Sequence, residues 1–395
     1  GSGDGMNVVH AVAVDDRGDV VVTSQVMSAS ATYGTTVLGA LASEWYSADT
    51  VLWKLSSTGT TLWAQAFKGG SATVGTGIAV DRTGPNVDGG NIVAQAYISA
   101  AKDSTFGDTV LAARSGGGSR DVAVWKMSAA GTVLWAVRSE GNINSECSAG
   151  SLAVDSAGAA AAGGYTRDSV FKAGDVSANN HGYAGSYDGI LWKLSPTGTT
   201  LWMVLGGGAG HDKISSVVTD AARNVVGAGY VESASATFGA VVLTNALDGE
   251  KDALLWKLSP AGTTLWAVLG GGVKDDQLFA VAVDNNGFDL IAAGDFSSAP
   301  GTFGASASSV LSALGSTPDA LMWKVNGTDG ATLWALRGGG ESSSDRVLAL
   351  AIDAEGCAVA ATYTASDTSR FGSQTFGADD TKRGVLWKVN QAKIS

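Results

Sequence analysis

The aspartates are the residues of this chain whose spacing could do chemistry. Asp15, Asp81, Asp155, Asp220, Asp284 and Asp353 each sit in a copy of one phrase: AVAVDDRG, GIAVDRTG, SLAVDSAG, SVVTDAAR, AVAVDNNG or LAIDAEG. Clustered carboxylates attract hard cations such as Ca2+, so six copies gathered at one end of a channel would make a metal site. The competing role is structural, because an aspartate in a D-x-x-G turn can accept a backbone N–H of that turn. The turn role accounts for all six copies at once and is the expected one. No cofactor is then called for, and Ca2+ at these six residues is the alternative.

Other catalytic groups do not assemble in the sequence. His10, His181 and His211 hold unrelated positions and share no set of carboxylates, which points to solvated or hydrogen-bonded structural roles. There is no G-x-S-x-G elbow, H-E-x-x-H helix or Walker loop. The glycine-rich GSGDG and GGGAGH stretches have no following helix to cradle phosphate and read as turns between repeats. Glu44, Glu146, Glu232, Glu250 and Glu341 are too scattered to nominate as an acid–base pair. Cys147 and Cys357 lie at non-equivalent positions, so both are expected to be free. Asn326-Gly327-Thr328 is a glycosylation sequon in a turn-like setting, usable if the protein is exported.

Bulk properties narrow the partners. A net charge of −12 argues against nucleic acid or an anionic lipid surface, both of which reward clustered Lys and Arg. No stretch approaches the roughly 18 apolar residues of a membrane span, and the start lacks the apolar, positively flanked pattern of a signal peptide. Opening at Gly1 instead of Met, the chain is expected to be a processed or partial product.

What positions these residues is a repeat. Trp-Lys recurs at Trp53, Trp125, Trp192, Trp256, Trp323 and Trp387, at intervals of 64 to 72 residues. Leu-Trp follows ten or eleven residues later at Trp63, Trp135, Trp202, Trp266 and Trp334, leaving only Trp45 of the 12 tryptophans outside the pattern. Each period holds four short β-branched segments bounded by Gly or Asp. Segment A ends at the turn aspartate, B follows the turn, C carries Trp-Lys and D carries Leu-Trp. A hairpin joins C to D, with Gly59, Gly131, Gly198, Gly262 and Gly330 placed to take positive φ. Between B and C runs a variable excursion with its own echo (ATYGTTVL, STFGDTVL, ATFGAVVL), in which an aromatic-Gly pair should pin the excursion back on its sheet.

Six four-stranded antiparallel units without helical periodicity predict an all-β chain, a six-bladed β-propeller forming one domain over 1–395. The blades fall at about 4–68, 74–138, 146–205, 212–269, 276–337 and 345–390. A blade has neighbours on both faces, so its strands should be almost continuously apolar, as TVLWKL and ALLWKL are. Burying each tryptophan removes roughly 150 to 250 Å² from water, about 4 to 6 kcal/mol before entropy is counted.

With these phrases in hand, the chain resembles the bacterial-type β-propeller repeat family often labelled SBBP. The matching phrases are GSGDG, the GGG runs at Gly206, Gly270 and Gly338, the AVD..G turn, the Thr-Phe-Gly excursion and D..LWKLSP.GTTLW. The resemblance covers essentially the whole chain and implies a non-enzymatic module of secreted or surface-exposed proteins, with no catalytic residue to carry over. Two departures stand out: Arg223 replaces the turn glycine in the fourth repeat, and SVFKAG breaks the excursion phrase in the third.

The last repeat differs again. A sixth Leu-Trp would fall near position 397, past Ser395, and Arg383 stands where the other repeats have Asp49, Asp121, Asp188, Asp252 and Asp319. Its C strand should therefore be an open apolar edge, either a simple boundary of the chain or a template for a strand donated by a flanking segment or another molecule. The expected role is an interaction or structural module that contacts protein or glycan through the B–C excursions. A polysaccharide-binding or polysaccharide-active propeller is the alternative. A quinone-dependent dehydrogenase is disfavoured by the lack of vicinal cysteines.

Overall fold

The structure is a computed structural model that describes residues 7–391, apart from 40, 42–47, 70–72, 84–88, 115–119, 142–144, 183–184, 305–309 and 378–382, and apart from the side chains of 145–150. GSGDG, Glu44 and Trp45 lie outside the described residues, as do the side chains of Glu146 and Cys147. Among the described residues there is no α-helix; the chain is all-β and every sheet is antiparallel. It divides into two compact units, Gly1–Asn180 with Ile190–Leu205 and His181–Gly189 with Gly206–Ser395.

The first five repeats fold as the four segments anticipate, and the sixth shows A, B and C among the described residues. In the first, A is Asn7–Val14, B is Val20–Val26, C is Asp49–Leu55 and D is Thr61–Gly69, hydrogen-bonded in that order. The fourth repeats this with Asp212–Thr219, Val225–Val231, Asp252–Leu258 and Thr264–Gly272. Gly59, Gly131, Gly198, Gly262 and Gly330 all take φ between 77° and 91° at the C–D hairpins. A register shift recurs at the start of most D strands, pairing Leu55 with Thr61, Leu258 with Thr264 and Val325 with Thr332.

Within each unit consecutive sheets pack face to face, which is why the C strands carry apolar residues on both sides. Asp252–Leu258 and Asp319–Val325 are buried at every position. Trp125, Trp192, Trp256 and Trp323 are fully buried. In unit one Leu52 and Phe67 of the first sheet share a cluster with Ile78, Ile92 and Trp125 of the second. In unit two Ala253 and Leu255 share one with Leu278, Leu290 and Trp323.

The B–C excursion is not a loop. In every repeat it is a two-stranded hairpin, such as Ser104–Phe106 with Thr109–Leu111 or Ser235–Phe238 with Val241–Thr244. Its aromatic ring packs on the C-strand tryptophan of its own repeat, with centroids 4.8 Å apart for Phe106–Trp125 and 5.0 Å for Phe238–Trp256. Its backbone, however, pairs with the end of the D strand of the preceding repeat: Lys68 with Thr105, Gly207 with Thr237, Gly271 with Thr302 and Gly338 with Phe371. Each of these four hairpins thus straps one sheet to the next. In the third repeat the aromatic and small residues trade places: Phe171 and Ala173 stand where Ala236 and Phe238 do in the fourth, and both remain buried. The SVFKAG departure is therefore a swap within the same hairpin.

The glycine runs, expected as turns, are the ends of the D strands. They are glycine because the strap leaves no room for a side chain. A Cβ on Gly206 would lie 2.3 Å from the Phe238 ring, and one on Gly208 2.2 Å from the Ser235 carbonyl.

Candidate functional site

Each of the six turn aspartates meets the lysine that follows the C-strand tryptophan of its own repeat. The pairs are Lys54–Asp15 at 2.8 Å, Lys126–Asp81 at 2.5 Å, Lys193–Asp155 at 2.7 Å, Lys257–Asp220 at 2.7 Å, Lys324–Asp284, and Lys388–Asp353 at 2.6 Å. The turn role holds as well: Asp15 Oδ1 accepts the N–H groups of Arg17 and Asp19, and Asp155 Oδ1 those of Ala157 and Ala159. Burial pushes the Asp15, Asp81, Asp155 and Asp284 carboxyls up, yet the lysines and turn N–H groups outweigh it and hold all four below the usual carboxylate value. The cation at each of these aspartates is an ammonium from the chain itself.

The tryptophans divide into two jobs. On the C strand the indole Nε1 donates to a D-strand threonine: Trp53 to Thr61 at 3.0 Å, Trp192 to Thr200 at 3.1 Å, Trp256 to Thr264 at 3.0 Å and Trp323 to Thr332 at 2.9 Å. On the D strand it reaches the C–D turn of the next repeat. Trp63 donates to the Ala129 carbonyl at 3.0 Å, Trp135 to Pro196 at 2.9 Å and Trp266 to Gly327 at 3.2 Å. Trp202 is buried and Trp334 packs against the last sheet's core.

The remaining candidates are separate. His10 lies 3.3 Å from Gln25, His181 Nδ1 bonds Asp188 at 2.7 Å, and His211 packs on Tyr187 with ring centroids 4.1 Å apart. The Asp188 hydrogen bond raises the His181 pKa against the opposing effect of burial. Asn326 Oδ1 accepts the Thr328 N–H within its turn. Cys357 is buried and free. Among the described residues no three His, Cys, Asp or Glu side chains converge as a metal centre, and no helix is long and apolar enough to cross a membrane.

The last sheet presents the most accessible binding geometry. Ala358–Thr364 pairs with the C strand Arg383–Val389, and among the described residues no strand covers the other edge of that C strand. Burial along Arg383–Val389 alternates where the C strands Asp188–Leu194, Asp252–Leu258 and Asp319–Val325 are buried throughout. Val385, Trp387 and Val389 point into a groove of about 650 Å³ that Phe371 and Phe376 also line. On the other face Leu386 is 76% exposed. Four other C-strand indoles find a threonine, whereas Trp387 Nε1 has no hydrogen-bond partner among the described residues. An edge with free backbone groups beside an apolar groove can take an added β-strand.

No protein-family model matches the chain, and no curated protein matches it. Among solved structures it is similar to Sqt1 from Chaetomium thermophilum, crystallised with the N-terminus of a ribosomal protein, at 10% identity and a TM-score of 0.33, covering 90% of this chain and 94% of that one. It is also similar to a quinohemoprotein alcohol dehydrogenase from Pseudomonas putida at 10% identity and a TM-score of 0.34, covering 89% of this chain and 55% of the enzyme.

Proposed function

We propose that the six sheets are the blades of one β-propeller of the SBBP-like repeat type, an exported or cell-surface protein that works as a non-enzymatic interaction module. Its last blade is completed by a β-strand carrying the D-strand pattern of its own repeats. The observation that carries this reading is the uncovered strand Arg383–Val389 beside its groove. The register of the covered sheets supplies the recognition pattern. Lys324 faces Trp334, Val325 faces Thr332, and Thr332 accepts the Trp323 indole N–H. A strand reading Thr-x-Trp-Ala would set its tryptophan opposite Lys388 and its threonine within reach of Trp387 Nε1. The outer strands of the B–C hairpins support a second contact surface for protein or glycan, since Val37, Val110, Val242 and Val310 are exposed at matching positions.

The test is binding of a labelled peptide with the Gly262–Gly270 sequence GTTLWAVLG, followed by fluorescence polarisation. Saturable binding is expected, with loss when alternate peptide nitrogens are methylated, because strand addition runs through backbone hydrogen bonds. Equal binding of the methylated peptide, or none of the parent, would overturn the proposal.

A further inference from the structure

The second unit contains carboxylates that the turn lysines do not reach. Asp252 starts the C strand of the fourth sheet and Asp276 the A strand of the fifth, and both are buried. Asp276 is held by four donors: the N–H groups of Gly272, Ser297 and Ser298, and the Ser298 hydroxyl at 2.6 Å. Asp252 Oδ2 accepts the Ala246 N–H at 3.0 Å, while its Oδ1 is buried with no hydrogen-bond partner. That bare oxygen and Asp276 Oδ2 both lie within 2.6 Å of the point a Cβ on Gly271 would occupy. Two buried carboxylates thus close on one glycine. The nearby Lys251 is engaged elsewhere, bonded to Asp275 at 3.1 Å and stacked over Tyr230.

The same arrangement occurs one repeat earlier. Asp212 accepts from Gly208, Glu232 and both donors of Ser233, and Asp188 Oδ1 is buried without a hydrogen-bond partner. Both carboxylates border Gly207, and His181 bonds only the other oxygen of Asp188.

Elsewhere the chain answers this charge itself. At the first junction Thr73 replaces the second carboxylate beside Gly69. At the second, Asp121 is clasped by Arg114 at 2.7 Å and by Arg138. At the fifth junction, where Asp319 Oδ1 and Asp345 Oδ1 are also buried without a hydrogen-bond partner, Arg337 approaches Asp319 Oδ2 to 3.9 Å. Arg138 and Arg337 stand three residues after the D-strand tryptophan, where the two uncompensated junctions have Leu205 and Leu269.

We propose that a hard divalent cation of the Ca2+ class binds between Asp252 and Asp276, cross-linking the fourth and fifth sheets, and a second between Asp188 and Asp212. Oxygen-only ligands and paired carboxylates suit Ca2+. A buried carboxylate pair without a cation is otherwise costly. The site is independent of the strand-binding edge.

The experiment is equilibrium dialysis of the full chain against radioactive Ca2+ after chelator treatment, paired with thermal melting in EGTA and in millimolar CaCl2. Retention of two Ca2+ per chain and a higher Tm in CaCl2 are expected. Leu269→Arg places a guanidinium where Arg337 stands in the next repeat; this half-buried position accepts the longer side chain. That variant should fold, retain one Ca2+ and lose part of the Tm response, and Asp252→Asn should likewise retain one. Wild-type protein that retains no Ca2+ and melts identically in EGTA and CaCl2 would overturn the proposal, as would two Ca2+ retained by folded Leu269→Arg.

Discussion

Trp125 offers a measurement of what the indole–threonine bond contributes. Four C-strand indoles donate to a D-strand threonine, but the second repeat has Val133 at that place, and Trp125 Nε1 is buried without an acceptor. Val133→Thr keeps the shape of the side chain and adds the missing oxygen. An orphaned buried donor costs about 1 to 3 kcal/mol, and the new hydroxyl gives back part of that in desolvation, so a net gain of about 1 kcal/mol is expected. Because the chain comprises two compact units, a single unfolding free energy is a poor readout. Hydrogen exchange of the Trp125 indole N–H, followed in protein with labelled tryptophan, reports the local opening instead. One kcal/mol corresponds to roughly five-fold slower exchange. Thr264→Val should produce the opposite change at Trp256. Unchanged exchange at Trp125 in a folded Val133→Thr variant would refute the reasoning.

Three further expectations follow from particular residues. Arg223 holds φ at 65°, alone in positive φ among the described non-glycine residues, where other repeats have Gly18, Gly158, Gly287 and Gly356. Arg223→Gly should therefore stabilise the chain by about 0.5 to 1 kcal/mol, the relieved strain less the extra chain entropy of glycine, read as a higher denaturation midpoint. Lys257→Met would leave Asp220 buried without its ammonium and should cost about 3 kcal/mol; adding Asp220→Asn should recover part of that loss, as a double-mutant cycle by denaturation would show. The carboxyls of Asp15, Asp81, Asp155 and Asp284 are lower in the folded chain than in the unfolded one, so their stabilisation is complete above about pH 4 and is lost as pH falls through their folded values. Tm measured from pH 7 to 2 should fall at the acid end, and less steeply in Asp15→Asn.

The parts of this fold that the sequence discloses are those decided within one repeat. Tryptophan spacing, β-branched runs and the glycine at each C–D tip are local signals, and the strands and φ values fall where they indicate. The straps are not legible in the sequence because their pairing partner is 30 to 37 residues back, in the preceding repeat: nothing local in STFGDTVL says that Thr105 will bond Lys68. Even so, ATFGAVVL carries a hairpin signal, an alternating β-branched run around a glycine at φ 63°, which could have been read as two strands. The GGG runs misled for a related reason. Glycine in a strand interior marks the close approach of another backbone as readily as a turn, and only the hairpin docking on Gly208 distinguishes them.

The carboxylates show the same limit applied to chemistry. Six aspartates in an evident repeat suit a turn role or, as the alternative, a cation ring, and each is answered by a lysine 35 to 45 residues later in its own repeat. Asp188 and Asp252, each left with a bare oxygen, belong to the start of the C strand and oppose an A-strand aspartate of the following repeat across a glycine. A signal was present in the sequence: one position of the D strand carries Arg138 and Arg337 in two repeats and Leu205 and Leu269 in the two between them. Its meaning depends on which strand lies beside it. Charge compensation in this chain is thus settled at the seams between sheets, where a repeat that supplies its own guanidinium needs no metal and a repeat that carries leucine does.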